Sequence, residues 1–164
     1  MTNMGFSKFC EANGIDFVST KVGDRYVLES MLQNGYNIGG EQSGHIIFLD
    51  HSTTGDGELS GAMVLSIMKR TGEKLSDLAK IMERYPQVLI NVKVSNEGKL
   101  SFYTDKEVKA EINRVTEILG DTGRILVRVS GTEPLVRVML EGENLEQIQT
   151  LAEEAAQVVR ERLA

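Results

Sequence analysis

The chain has 164 residues, 41% hydrophobic and 26% charged, enough to bury the core of one ordinary domain or two small ones. Its net charge of −6 leaves no basic excess to neutralise phosphates over a broad surface, which argues against a nucleic-acid partner. The single cysteine, Cys10, excludes an internal disulfide framework and fits a reducing cytoplasm; no apolar run approaches the ~20 residues of a membrane span, and no signal-peptide pattern opens the chain.

Helical and strand-like segments alternate, with glycines at the stops. "GFSKFCEANG" reads as a short helix with Phe6, Phe9 and Cys10 inward, and "IDFVS" as a short strand. "DRYVLESMLQNG" predicts a helix burying Val27, Leu28, Met31 and Leu32, closed by Gly35. "YNIGG" and "HIIFLD" flank the loop "EQSG" as the arms of a hairpin. After the polar loop "HSTTGDG", "ELSGAMVLSIMKR" is apolar on nearly all sides and predicts a buried helix ending at Gly72. "KLSDLAKIMERY" reads as one more helix, stopped before Pro86.

The pattern then changes. "VLINVKV" is a strand, and "TDKEVKAEINRVTEILG" is an amphipathic helix with Val108, Ile112, Val115 and Leu119 on one face and Thr104 with Glu107 as its capping box. "RILVRV" and "LVRVMLEG" are two more strands. The last helix starts at Asn144, with Gln147 at the capping-box position, and buries Leu145, Ile148, Leu151, Ala155 and Val158. The boundary falls near residues 85–87, giving a β/α-alternating unit over 1–85 and a β-α-β-β-α unit over 86–164.

Three loops carry polar chemistry. In "RVSGTEPLVRV", residues 128–138, alternation puts Arg128 on the face opposite Val127 and Val129. Ser130, Gly131 and Thr132 supply two hydroxyls, several backbone N–H groups and a close backbone approach, and Arg128 a planar fork suited to phosphate oxygens. The same residues suit a hairpin turn whose Ser and Thr satisfy their own backbone while Arg128 and Arg137 are solvated, so both readings stand. In "GGEQSGH", residues 39–45, Glu41 can accept from two neighbouring sugar hydroxyls with Ser43 beside it; a glycine-rich hairpin facing water is the plainer alternative. "HSTTGDGELSG", residues 51–61, fits neither dinucleotide nor P-loop spacing, and an EF-hand register from Asp50 would need glutamate where Gly61 stands. Thr54 and Asp56 read as residues pinning the start of the following helix. His45, His51 and Cys10 show no metal-ligand spacing, and no nucleophile-elbow pattern occurs.

Taken together and in order, "KVGDRYV" (21–27), "GEQSGH" (40–45), "TTGDG" (53–57) and "RVSGTEPLVRV" resemble the α-D-phosphohexomutase superfamily, and within it the glucosamine branch. The resemblance implies a truncated α/β third domain over 1–85, carrying the sugar-recognition loop. It implies a fourth domain over 86–164 of TATA-box-binding-protein-like α+β fold, a largely antiparallel sheet with two helices, carrying the phosphate loop. It implies interconversion of glucosamine 6-phosphate and glucosamine 1-phosphate through a phosphoserine and a 1,6-bisphosphate. Arg128, Ser130, Gly131, Thr132 and Arg137 would clamp the non-reacting phosphate, with Arg137 alternatively a support for the loop. Glu41 and Ser43 would grip the sugar, with Lys21, Arg25 and His45 as neighbours. The phosphoserine and the magnesium loop of the family lie on preceding domains with no counterpart here. The chain is therefore expected to act with those domains on a phosphosugar in the cytoplasm, to bind no cofactor itself, and to contact neither nucleic acid nor membrane. A hinge near 85–87 would close the two loops over substrate. A phosphomannomutase/phosphoglucomutase parent and a stand-alone phosphosugar-binding module remain alternatives. One residue departs from the pattern: Val129 stands where the family usually has proline after the arginine, which removes no phosphate ligand but leaves φ unfixed.

Overall fold

The computed structural model describes residues 2–164, and the chain divides into two compact units, one ending at Arg84 and one running Tyr85–Ala164. Among the described residues, no helix is long and apolar enough to cross a membrane.

The first unit opens with α1 (Met4–Ala12), whose N-cap Asn3 accepts from the Gly5 N–H at 3.0 Å. Cys10 is buried as expected, but Phe6 is not turned inward; it stays 37% exposed, edge-on to Phe17 with ring centroids 5.6 Å apart. Residues 15–19 do not form the expected strand. The strands of this unit among the described residues, β1 (Ile38–Gly40) and β2 (Ile46–Phe48), pair antiparallel with each other, so Ile15 and Val18 have no ladder to join and are half exposed. Ahead of β1, α2 (Asp24–Asn34) ends at Gly35 in the left-handed conformation and buries Met31, while Leu32, expected inside, is exposed.

Helix α3 (Gly57–Thr71) begins at Asp56, whose side chain accepts from the Leu59 N–H at 2.9 Å, and ends at Gly72. Its expected burial is corrected: no residue of α3 is buried, and Leu65 is 64% exposed. Apolar character on every side requires neighbours on every side, and here Leu59, Met63 and Met68 are only partly covered while Leu65 faces outward. Helix α4 is a single turn, Leu75–Leu78, rather than a helix reaching Tyr85. Its cap residue Lys74 makes no side-chain cap bond and Ile81 is exposed, so neither capping nor packing extends it.

The second unit is a three-stranded antiparallel sheet in the order β3–β5–β4, built from β3 (Gln87–Lys93), β4 (Gly123–Val129) and β5 (Leu135–Gly142). One face carries Val92, Val136, Val138 and Leu140 into a core shared with α6 (Lys106–Leu119) and α7 (Leu145–Leu163). Strand alternation puts Asn91, Arg137 and Arg128, which are partners across the three strands, on the other face. Helix α6 buries Val108, Val115 and Leu119 as its period requires. Its cap is Asp105, which accepts from the Val108 N–H at 2.9 Å; the expected cap, Thr104, instead donates to the Ser101 carbonyl at 3.1 Å. In α7, Asn144 accepts from the Gln147 N–H at 3.1 Å, and Leu145 stays 53% exposed instead of joining the core. A short helix absent from the sequence reading, α5 (Asn96–Ser101), follows β3, capped by Ser95.

Candidate functional site

The turn joining β4 to β5 is stabilised by a few bonds that leave several donors unused. The Ser130 N–H donates to the Leu135 carbonyl at 2.8 Å, and the Glu133 N–H donates to the Ser130 hydroxyl oxygen at 3.3 Å. Ser130 is 2% exposed, and its hydroxyl proton remains to donate. Among the described residues, Gly131 and Thr132 form no hydrogen bond through their exposed amides, nor Thr132 through its hydroxyl. The register sets Arg128 directly opposite Arg137. Arg137 is engaged, its Nη2 donating to Glu133 Oε2 at 2.9 Å while its buried Nε finds no partner among the described residues. Arg128 makes no hydrogen bond or ion pair among the described residues and lies half-buried beside the turn. Like charges facing each other across a ladder destabilise it by themselves. A half-buried guanidinium with unused turn amides and hydroxyls beside it is an arrangement for taking up an anion.

In the first unit, the loop between β1 and β2 is closed by the Glu41 N–H donating to the His45 carbonyl at 2.9 Å and the Gly44 N–H donating to the Glu41 carbonyl at 3.0 Å. The Glu41 carboxylate reaches back to the start of α2, Oε1 accepting from the Gly23 N–H at 3.1 Å, where a negative charge is favoured by the helix dipole. His45 Nε2 accepts from the Gly55 N–H at 3.2 Å, which requires that nitrogen to be unprotonated, and Asp24 Oδ2 lies 3.8 Å away. Gly55 has to be glycine for this contact, because a Cβ there would come within 2.5 Å of the imidazole.

Of the residues predicted here, Glu41 and His45 are brought into one network. Ser43 is exposed on the same loop and makes no hydrogen bond among the described residues. Lys21 sits over the Tyr26 ring, 5.8 Å from its centroid. Arg25 is turned to its own helix: its Nε donates to Glu29 Oε1 at 2.9 Å, and that bond raises its already high pKa. Sequence reasoning missed Gly23, Asp24 and Gly55 as supports of the loop; the glycines of "TTGDG" were visible, but no local pattern tied them to His45. Among the described residues no group of three or more His, Cys, Asp or Glu lies close enough together to hold a metal ion.

Two family models match the chain: phosphoglucomutase/phosphomannomutase, alpha/beta/alpha domain III, over residues 1–85, and the phosphoglucomutase/phosphomannomutase C-terminal domain over residues 89–158. Phosphoglucosamine mutase of Caldanaerobacter subterraneus subsp. tengcongensis is 52% identical over 163 residues, covering 99% of this chain and 36% of that protein. Phosphoglucosamine mutase of Clostridioides difficile is 51% identical over 164 residues, covering 100% of this chain and 37% of that protein. The chain thus spans 36–37% of the length of these curated relatives. Among solved structures, Aspergillus fumigatus N-acetylphosphoglucosamine mutase superposes with a TM-score of 0.85 at 20% identity, over 98% of this chain and 37% of that one. N-acetylglucosamine-phosphate mutase in its substrate complex gives 0.74 at 21% identity, over 96% and 37%. At such identities the likeness shows the fold alone.

Proposed function

Because the chain belongs to the phosphoglucomutase/phosphomannomutase family and carries that family's third and fourth domains, we propose that it is the substrate-holding part of a phosphoglucosamine mutase. The observation that carries the reading is the unpartnered Arg128 beside the unused donors of Gly131 and Thr132. The whole enzyme would interconvert glucosamine 6-phosphate and glucosamine 1-phosphate in the cytoplasm. A phosphoserine on another domain gives its phosphoryl group to the free sugar hydroxyl, forming a 1,6-bisphosphate, and the other phosphate then returns to the serine. Magnesium, which balances phosphate charge in such transfers, belongs in this reading to residues outside this chain, and no step here is routed through it.

Each half-reaction leaves one phosphate unreacted, at opposite ends of the sugar, so a single clamp serves both. Arg128, Ser130, Gly131 and Thr132 form that clamp, and Arg137 supports it through Glu133. With one Glu41 oxygen fixed on Gly23, the other is left for the sugar hydroxyls, beside Ser43. His45 presents its remaining ring nitrogen as a donor, because Nε2 accepts from Gly55. Lys21 and Arg25 are held instead by Tyr26 and Glu29. With neither phosphoserine nor metal cluster, the chain by itself is expected to be inactive, and mutase turnover above a buffer blank would refute that.

An amide NMR titration with glucosamine 6-phosphate beside inorganic phosphate tests the reading. Shifts at residues 128–132 with both ligands, and at 41–45 with the sugar phosphate only, are expected; no shift at 128–132 with either would overturn it. The family models also cover phosphoglucomutases and phosphomannomutases, so glucose and mannose 6-phosphates belong in the same titration.

A further inference from the structure

The turn at Ser130–Pro134 is held from outside by a segment more than thirty residues away in sequence. The Val94 N–H donates to the Pro134 carbonyl at 3.0 Å, and Lys99 Nζ, on α5, donates to the Glu133 carbonyl at 3.0 Å. The same segment is anchored on its other side to the end of α7. The Ser95 N–H donates to the Leu163 carbonyl at 3.1 Å, and Gly98 lies so close to that carbonyl that no side chain would fit. Helix α5 is therefore a bracket fixed at one end to α7, with Lys99 as the arm that reaches the turn.

What Lys99 holds matters for an anion. Pro134 has no N–H, so the Glu133–Pro134 peptide offers only an acceptor, and an uncovered carbonyl beside a phosphate would repel it. Glu133 brings a second acceptor, its carboxylate. The structure gives each of the two a cationic partner: Arg137 on the carboxylate and Lys99 on the carbonyl, which also accepts from the Leu135 N–H at 2.8 Å. Resting on the clamp reading above, we propose that Lys99 is a positioning residue of the phosphate turn. It caps the Glu133 carbonyl together with the Leu135 N–H, fixing that end of the turn, and adds a positive charge beside the turn's donors.

The test compares the unmodified chain, Lys99→Met and Lys99→Arg in an inorganic phosphate titration followed at the Gly131 and Thr132 amides. Hydrogen exchange at Ser130 and Leu135 is read in the ligand-free state. Lys99→Met is expected to bind phosphate about three- to tenfold more weakly, with faster exchange at both amides and an unchanged melting temperature; Lys99→Arg is expected to restore binding to within about twofold. Unchanged binding in Lys99→Met, while the unmodified chain binds, overturns this inference and leaves the clamp reading standing. An equal loss in Lys99→Arg would also overturn it. An unmodified chain that shows no shift with phosphate or sugar phosphate refutes the clamp reading and this inference with it.

Discussion

In the unit running Tyr85–Ala164, α6 and α7 lay one apolar face on a sheet and bury it almost completely, whereas in the unit ending at Arg84 the more apolar α3 buries nothing. Composition does not explain this, since α3 has the longer unbroken supply of Leu, Val, Ile and Met. The difference is in the layers. Two amphipathic helices and a three-stranded sheet close on each other, each needing one covered face. A helix apolar all round needs a layer on both sides, and among the described residues the sheet of the first unit is a two-stranded hairpin. Burial is thus a property of the surroundings an element finds, and periodicity reports only how many faces it needs covered.

The sharpest way to break this comparison is to truncate one leucine in each unit. Leu140→Ala, at a fully buried position on β5, should cost about 2–5 kcal/mol, while Leu65→Ala on α3 should stay within about 0.5 kcal/mol. Urea unfolding of both variants measures the two effects, and equal losses would show that α3 is packed as tightly as the sheet.

A smaller effect is expected in the first unit at the loop network of Glu41, His45 and Gly55. Gly55→Ala would drive a methyl into the His45 ring, and we expect about 1–3 kcal/mol of local destabilisation, seen as a displaced His45 ring resonance together with faster exchange at the Gly55-position amide. An unmoved His45 resonance would mean that the Gly55 contact does not hold the loop.

The smallest effect sharpens the second unit. The Val108 N–H, and after it the Arg162 guanidinium, hold the Asp105 carboxyl below its ordinary value. A depressed folded-state value means that the stability from this cap is fully present above about pH 4 and is lost as the pH falls through the lower folded value. Asp105→Ala should cost about 1 kcal/mol at neutral pH, and Asp105→Asn should keep the cap while flattening the acid-side loss. An unchanged acid slope in Asp105→Asn would assign that loss to other carboxylates.

Much of the second unit was legible because its signals are local. The period of α6, the caps near residues 104–105 and at Asn144, and the two strands around a Gly-Pro turn each fit within a few residues. The choice of Asp105 over Thr104 was not legible, since both are good caps and only geometry separates them. In the first unit, the strand over 15–19 and the length of α4 failed because each depended on a partner that local pattern does not specify. The candidate site divides the same way. Its turn residues and both arginines stand out in the sequence, whereas Lys99, Gly23 and Gly55 act through contacts 10 to 34 residues away.

At the turn end of the β4–β5 hairpin, Arg128 and Arg137 face each other with Glu133 as the nearby carboxylate, whereas Arg124 further along is paired with Glu141. Directly paired strand residues sit about 5 Å apart at their Cα atoms, inside the screening distance of about 8 Å at physiological ionic strength, so dissolved salt relieves the repulsion only in part. A multivalent oxyanion seated between the guanidiniums would complete the cluster, and by mass action it would stabilise the folded hairpin increasingly as its concentration rises above its Kd. The identity of the buffer thereby becomes a variable of this domain's folding: the same chain should melt higher in phosphate than in a chloride solution of equal ionic strength.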